Sequence, residues 1–164
     1  MRILGIDPGL AIVGIGIIDV VNGKTQYVRH DTILTGPEMP FQDRLVKICK
    51  DLQDIITLYQ PDNIVFEELF FAKNVKTALQ VAAARGCAIS VAAQHTAQLY
   101  EYTPMQIKQA LVGYGRADKL QIQQMVKLML KLNSIPKPDD AADALAVAIT
   151  HANTGYAKEQ FRMK

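Results

Sequence analysis

Arg2-Ile3-Leu4-Gly5-Ile6-Asp7-Pro8-Gly9 opens the chain with an apolar run that stops on a carboxylate and a turn. A short apolar run bounded by Pro-Gly reads as a buried strand. Beyond the turn, Ala11 to Val21 is rich in Ile, Val and Gly and reads as a second strand. Asn22-Gly23 is the strongest short-range hairpin signal, and Tyr27 to Leu34 supplies a third strand. Strands joined by turns this tight run antiparallel. Thr35-Gly36-Pro37 then breaks the pattern, and Phe41, Leu45, Ile48, Leu52, Ile55 and Tyr59 follow at spacings of four and three, one face of an amphipathic helix. Pro61 ends that helix. Ile64 to Glu67 is a fourth strand reached by a crossover, and so parallel to a neighbour.

The remainder alternates in the same way. Thr77 to Gln94 is an Ala-dominated helix, small and apolar on nearly every side, suited to buried core, to a dimer contact or to both. Gln98 to Tyr102 reads as a fifth strand, and Pro104 opens a short helix at its favoured first turn. Gly113-Tyr114-Gly115 is a loop and Lys119 to Leu132 a second amphipathic helix. An extended connector, Asn133 to Pro138, leads to a last helix from Asp139, with Asp139 expected as its N-cap. The order βββ-α-β-α-β-α-α-α predicts an α/β fold of the ribonuclease H-like kind. Its mixed five-stranded sheet has the three antiparallel strands first and is flanked by helices. Residues 1–153 are expected to form a single domain and 154–164 a polar tail. The length, 164 residues with 49% hydrophobic and 21% charged, suits one compact core. No apolar stretch reaches the ~18 residues of a membrane span, and no signal-peptide pattern is evident, so a cytoplasmic location is expected.

In that arrangement the first and fourth strands lie side by side, making Asp7 and Glu67 neighbours. Asp140 and Asp143, three apart in Asp140-Ala141-Ala142-Asp143, share one helical face. Neither has a basic residue four positions on. Buried carboxylates are costly unless paired or holding a cation. Two unit charges 4 Å apart repel by about 1 kcal/mol in water and by more in a drier cleft. An all-oxygen set of this kind favours Mg²⁺ or Mn²⁺ over zinc. Two such ions about 3.5–4 Å apart can activate water and stabilise the leaving oxygen of a phosphodiester. Each acid also has a plain structural use: Asp7 as a turn aspartate, Asp140 and Asp143 as favourable charges in a first helical turn. Glu67 and Glu68 point to opposite faces of a strand, and the pleat alone does not choose between them.

Net charge is only +2, but Pro104 to Lys137 carries Lys108, Arg116, Lys119, Lys127, Lys131 and Lys137 against the single acid Asp118. A basic segment beside an acidic site suits a polyanion held over cations; as a solvated helix face it would mean nothing. Phe70 and Phe71, followed by Lys73 and Lys76, read as a loop whose aromatics can stack on unpaired bases, or as ordinary core. His30, His95 and His151 are scattered, with no Ser–His–Asp or Cys–His signature and no Walker loop. Cys49 and Cys87 lie in helical apolar patterns and read as reduced, buried thiols.

Four segments together closely resemble the RuvC family of crossover-junction endodeoxyribonucleases. They are Ile3-Leu4-Gly5-Ile6-Asp7-Pro8-Gly9; Glu67-Glu68-Leu69-Phe70-Phe71-Ala72-Lys73-Asn74; Pro104 to Ala110 with Gly113 to Lys119; and Asp140 to Ala146. The resemblance implies a homodimeric enzyme that cuts four-way (Holliday) DNA junctions with Mg²⁺. Asp7, Glu67, Asp140 and Asp143 would be its metal-binding catalytic acids, which selects Glu67 over Glu68. Lys108 and Lys119 would lie near the scissile strand and Phe70 would contact bases at the junction centre. Phe71, Lys73, Lys76 and Arg116 join them as expected DNA contacts. Paired symmetric nicks would leave 5′-phosphate ends, in recombination and repair, at a short T-rich site and alongside the RuvA and RuvB branch-migration proteins.

Three rival readings stand beside this one. A related nuclease of the same fold could act on RNA hybrids or simpler DNA. A nucleotide-binding module of the actin or sugar-kinase type also opens with Gly-x-Asp-x-Gly, but would need a second copy of the motif. A non-catalytic DNA-binding protein could keep the fold, although all four acids are present.

Overall fold

The structure is a computed structural model and describes residues 1–69, 75–95 and 98–164. Its strands are β1 (Arg2–Asp7), β2 (Ile12–Val21), β3 (Lys24–Leu34), β4 (Asn63–Glu67) and β5 (Leu99–Tyr102). Its helices are α1 (Phe41–Tyr59), α2 (Val75–His95), α3 (Pro104–Val112), α4 (Lys119–Met129) and α5 (Asp139–Thr154), followed by a 3₁₀ turn over Gly155–Phe161. The five strands form one sheet in the order β3-β2-β1-β4-β5. β1 pairs antiparallel with β2 and parallel with β4. The predicted element order and mixed sheet are therefore observed. β3 starts three residues earlier than its apolar pattern indicated, because Asn22 and Gly23, both at positive φ, form a two-residue turn that pairs Val21 directly with Lys24.

The pleat sorts the core into two layers. Leu4, Ile6, Ile15, Ile17, Ile64 and Phe66 face α1 and α2. Ile3, Ile18 and Val65 face α3, α4 and α5. Helix α5 is almost wholly buried from Ala141 to His151, apart from the half-buried Asp143, which makes it the central helix of its layer. Its alanines lie on a glycine row. Gly5 pairs with Gly16, and Asp7 with Gly14, in the β1–β2 register. A Cβ on Gly16 would stand 2.5 Å from the Leu145 amide nitrogen, and one on Gly14 would strike the Asp140 carbonyl oxygen. Glycine in these strands thus lets the backbone of α5 rest directly on the sheet.

At the other end of α5, the buried His151 ring is held on both sides. Asn63 Nδ2 donates to Nε2 at 2.9 Å, so the ring proton rests on Nδ1, which faces the Tyr102 hydroxyl at 3.0 Å. Burial, and then Lys158, lower this histidine to about 4, so it is neutral. The C-terminal stretch also has a definite place. Met163 donates its amide to Leu99 O, Arg162 bridges to Tyr100, and Phe161 stacks near Tyr102, covering the β5 edge. Cys49 and Cys87 are free and half-buried, facing one another between α1 and α2. No helix among the described residues is long and apolar enough to cross a membrane.

Candidate active site

Asp7 and Glu67 are the terminal residues of adjacent parallel strands, one step beyond the Ile6–Phe66 pair. Strand parity decides which glutamate joins Asp7. Val65 faces the α5 layer with Ile3, so Asp7 and Glu67 emerge on that same face. Glu68 lies past the strand end, exposed, with its amide bonded to Tyr102 O at 2.9 Å. The pattern that settles the choice, apolar alternation on both sides of β4, is visible only once the register with β1 is known.

Asp140 and Asp143 come from the first turns of α5, which the glycine row brings down onto the strand ends. A Cβ on Gly14 would sit 3.2 Å from Asp7 Cβ and against Asp140 O, so this glycine sets how near α5 comes to Asp7. Asp139 is the first residue of the helix; Pro138 is the cap, and no side chain caps α5. The expected Asp139 cap is therefore replaced by ion pairs. Asp139 Oδ1 accepts from Lys137 Nζ at 2.9 Å, with Lys119 Nζ 3.7 Å from Oδ2.

Lys119 stands in the site. Its Nζ is 3.0 Å from Asp143 Oδ2, so Asp143 has a basic partner after all, supplied by α4 and not by the next turn of its own helix. Capping places it: Asp118 Oδ1 accepts from the Gln121 amide at 2.8 Å, and Gln121 Oε1 accepts from the Asp118 amide, which fixes Lys119 as the first residue of α4. A matching box, Thr103 with Gln106, starts α3 and places Lys108 one turn in. Glu67, Asp143, Lys108 and Lys119 line one cleft of about 240 Å³, floored by Ile107, Ile122 and Ala146. Arg116 is exposed in the α3–α4 turn, away from this lining. Phe70, Phe71 and Lys73 lie outside the described residues, as does the side chain of Lys76.

The electrostatics are those of crowded acids. Burial raises Asp7 to about 7, helped by Asp143 and Asp140 and opposed by Lys119. Burial raises Glu67 to about 8, helped by Asp7 and Asp143 and opposed by Lys119 and Lys108. Asp143 is raised by burial against the pull of Lys119. Burial alone would lower Lys119, but its bond to Asp143 and the surrounding acids hold it above its ordinary value. Among the described residues no three of these side chains already stand as a closed metal cage; like charges facing one another in a half-dry cleft keep apart. The donor set nonetheless fits a hard divalent cation. It offers only carboxylate oxygens, and burial together with the neighbouring acids makes Asp7 and Glu67 resist ionisation near neutral pH, a cost that a bound cation would offset.

Comparison with known proteins points the same way. The family described as Crossover junction endodeoxyribonuclease RuvC matches residues 3–151. A crossover junction endodeoxyribonuclease RuvC from Alkaliphilus oremlandii is 56% identical over all of both chains, and one from Alkaliphilus metalliredigens is 50% identical over the same span. Thermus thermophilus RuvC in complex with Holliday junction substrate superposes with a TM-score of 0.91 at 33% identity, covering 99% of each chain. The yeast mitochondrial Holliday junction resolvase Ydc2 shares the fold at 15% identity and a TM-score of 0.68, over 92% of this chain and 78% of its own. With a ribonuclease H-like sheet, a full-length family match and relatives at half identity or more, this chain belongs to the RuvC family of crossover junction endodeoxyribonucleases.

Proposed function

We propose that this protein is a structure-selective endodeoxyribonuclease that resolves four-way DNA junctions by paired nicks in recombination and repair. The observation that carries the reading is the convergence of Asp7, Glu67, Asp140 and Asp143 at the C-terminal ends of β1 and β4, beside Lys108 and Lys119. The four acids hold the divalent cations, Mg²⁺ with Mn²⁺ as substitute, two per site. When bound, such cations supply Lewis acidity that makes water a nucleophile at neutral pH and stabilises the departing oxygen. Asp7 and Glu67, on rigid strand ends, fix the position of the site relative to the sheet. Asp140 and Asp143, on a helix seated against glycine, close it from above. Lys108 and Lys119 face the phosphate from the α3–α4 side and offset its charge. Lys119 leaves Asp143 for the phosphate as DNA enters, which turns a resting ion pair into a substrate contact. Arg116 and the segment holding Phe70, Phe71, Lys73 and Lys76 extend the DNA surface. Hydrolysis leaves 5′-phosphate ends.

The enzyme acts as a homodimer, because a two-fold assembly matches the two equivalent strands of a junction. Helix α2 supports this: its outer face exposes Val75, Leu79, Ala82 and Gly86 in a stripe of apolar and small residues. The chain works in the cytoplasm with the RuvA and RuvB branch-migration proteins. Residues 1–153 form its nuclease domain, and 154–164 a terminal segment that seals β5. Cutting of end-labelled junction, duplex and RNA–DNA hybrid, with Mg²⁺ against Ca²⁺ and read on both strands, tests the reading. Symmetric nicks in the junction alone are expected; preference for the hybrid would favour the related nuclease.

A further inference from the structure

The acid cluster has a second cleft, on the side away from Lys108 and Lys119. The first cleft opens on the β4 side of β1, at Glu67 and Asp143. The second opens on the β2 side, at Asp140, and measures about 430 Å³. Its walls are the Gly9–Ile12 turn, Thr77 and Gln80 of α2, and Arg44 of α1. Asp7, on β1, lies between the two.

Arg44 is held there in an unusual way. Its Nε donates to Thr35 Oγ1 at 2.9 Å and its Nη2 to Thr35 O at 3.1 Å. The buried Thr35 in turn donates to Leu10 O, and its amide to Ala11 O at 2.9 Å. The guanidinium is thus aimed by a rigid brace that also shapes the turn after Asp7. Both acceptors are neutral. Among the described residues Arg44 has no carboxylate partner, although it is half-buried. Of the five donors of a guanidinium, the brace uses two and leaves three. A preoriented, uncompensated fork beside an acidic site is what a phosphate diester requires.

We propose that Arg44 anchors the DNA backbone on the far side of the scissile phosphate from Lys108 and Lys119, so that the cut strand is gripped on both flanks. This rests on the nuclease reading above, and it assigns a contact in a cleft separate from the one that Lys108 and Lys119 line.

The test is fluorescence-anisotropy titration of a labelled four-way junction, in Ca²⁺, over a series of salt concentrations, with the full chain. Arg44→Gln is expected to weaken binding about tenfold, equally for junctions of different sequence, since a charge-assisted bond is removed. The slope of log affinity against log salt should become shallower by about 0.9 for each phosphate that is no longer neutralised. Arg44→Lys should restore that slope. Thr35→Val removes the Oγ1 half of the brace but keeps the bond of Arg44 to Thr35 O and the cation itself, and should leave the slope as in the unmodified chain. An unchanged slope in Arg44→Gln would overturn the proposal. So would an equal flattening in Thr35→Val, because Arg44 would then act only as a brace. Failure of the unmodified chain to cut any junction would instead sink the nuclease reading, which the binding slopes do not address.

Discussion

Raising the pH in the presence of a chelator should cost this protein stability that a divalent cation restores, with Asp7 and Glu67 responsible. In the folded chain Asp7 is raised from 3.8 to about 7 and Glu67 from 4.5 to about 8, burial being the larger cause in both. A carboxyl raised on folding binds its proton more tightly in the native than in the unfolded state. Its stabilising contribution is therefore present below about pH 4 and is lost as pH climbs through the folded value. For Asp7 alone that displacement corresponds to roughly 4 kcal/mol. Water reaches the rim of the cleft, and screening reduces the net loss for the pair to about 2–4 kcal/mol. At about 2–4 °C per kcal/mol for a chain of this size, Tm should fall by roughly 5–15 °C between mildly acidic and mildly alkaline buffer. His151 pulls the other way: it is held neutral with a value lowered to about 4, so its contribution is lost as pH falls below about 6.5. The clean observable is consequently the difference between the unmodified chain and Asp7→Asn, measured by calorimetry in chelator and again in millimolar Mg²⁺. Mg²⁺ should raise Tm more at alkaline than at acid pH in the unmodified chain, and much less in the variant. Parallel pH curves for the two proteins, or equal Mg²⁺ stabilisation at both ends, would refute the electrostatic reasoning.

Three further outcomes follow from the same geometry. Asp7→Asn should bind junctions within a few-fold of the unmodified chain yet cut them about 100-fold more slowly or worse, as read by gel shift in Ca²⁺ and cleavage in Mg²⁺; full cleavage would remove Asp7 from the site. Gly16→Ala places a Cβ 2.5 Å from the Leu145 amide and should destabilise by about 1–3 kcal/mol in urea melts, by lifting α5 from the sheet. Asn63→Ala strips the buried His151 Nε2 of its donor and should cost about 1–3 kcal/mol without altering junction affinity, since this end of β4 is remote from Glu67.

Much of this was legible in the residues. The apolar run ending at Asp7, the Asn22-Gly23 hairpin and the crossover to Ile64 led to the element order and its antiparallel start, because each has few alternatives; the adjacency of β1 and β4 came from the likeness of that order to the ribonuclease H-like arrangement. The acids were legible as strand ends and as one helical face. The choice between Glu67 and Glu68 was not, because it depends on register with β1, and register is a property of two strands. The pairing of Lys119 with Asp143 was equally hidden, since it joins α4 to α5 across a turn and a long connector. The glycine row could have been found: Gly14-Ile15-Gly16 inside a strand marks a close backbone approach, although which helix approaches is a tertiary fact. Asp139 shows the opposite failure. A favoured capping residue stood at the right place, but Lys137 and Lys119 offered its carboxylate ion pairs.

The most direct test of the four-acid centre is a crystal of this protein soaked in Mn²⁺, with the ion located by anomalous scattering. Density among Asp7, Glu67, Asp140 and Asp143 is the predicted result. Mn²⁺ bound elsewhere, with those four carboxylates left bare, would contradict the account.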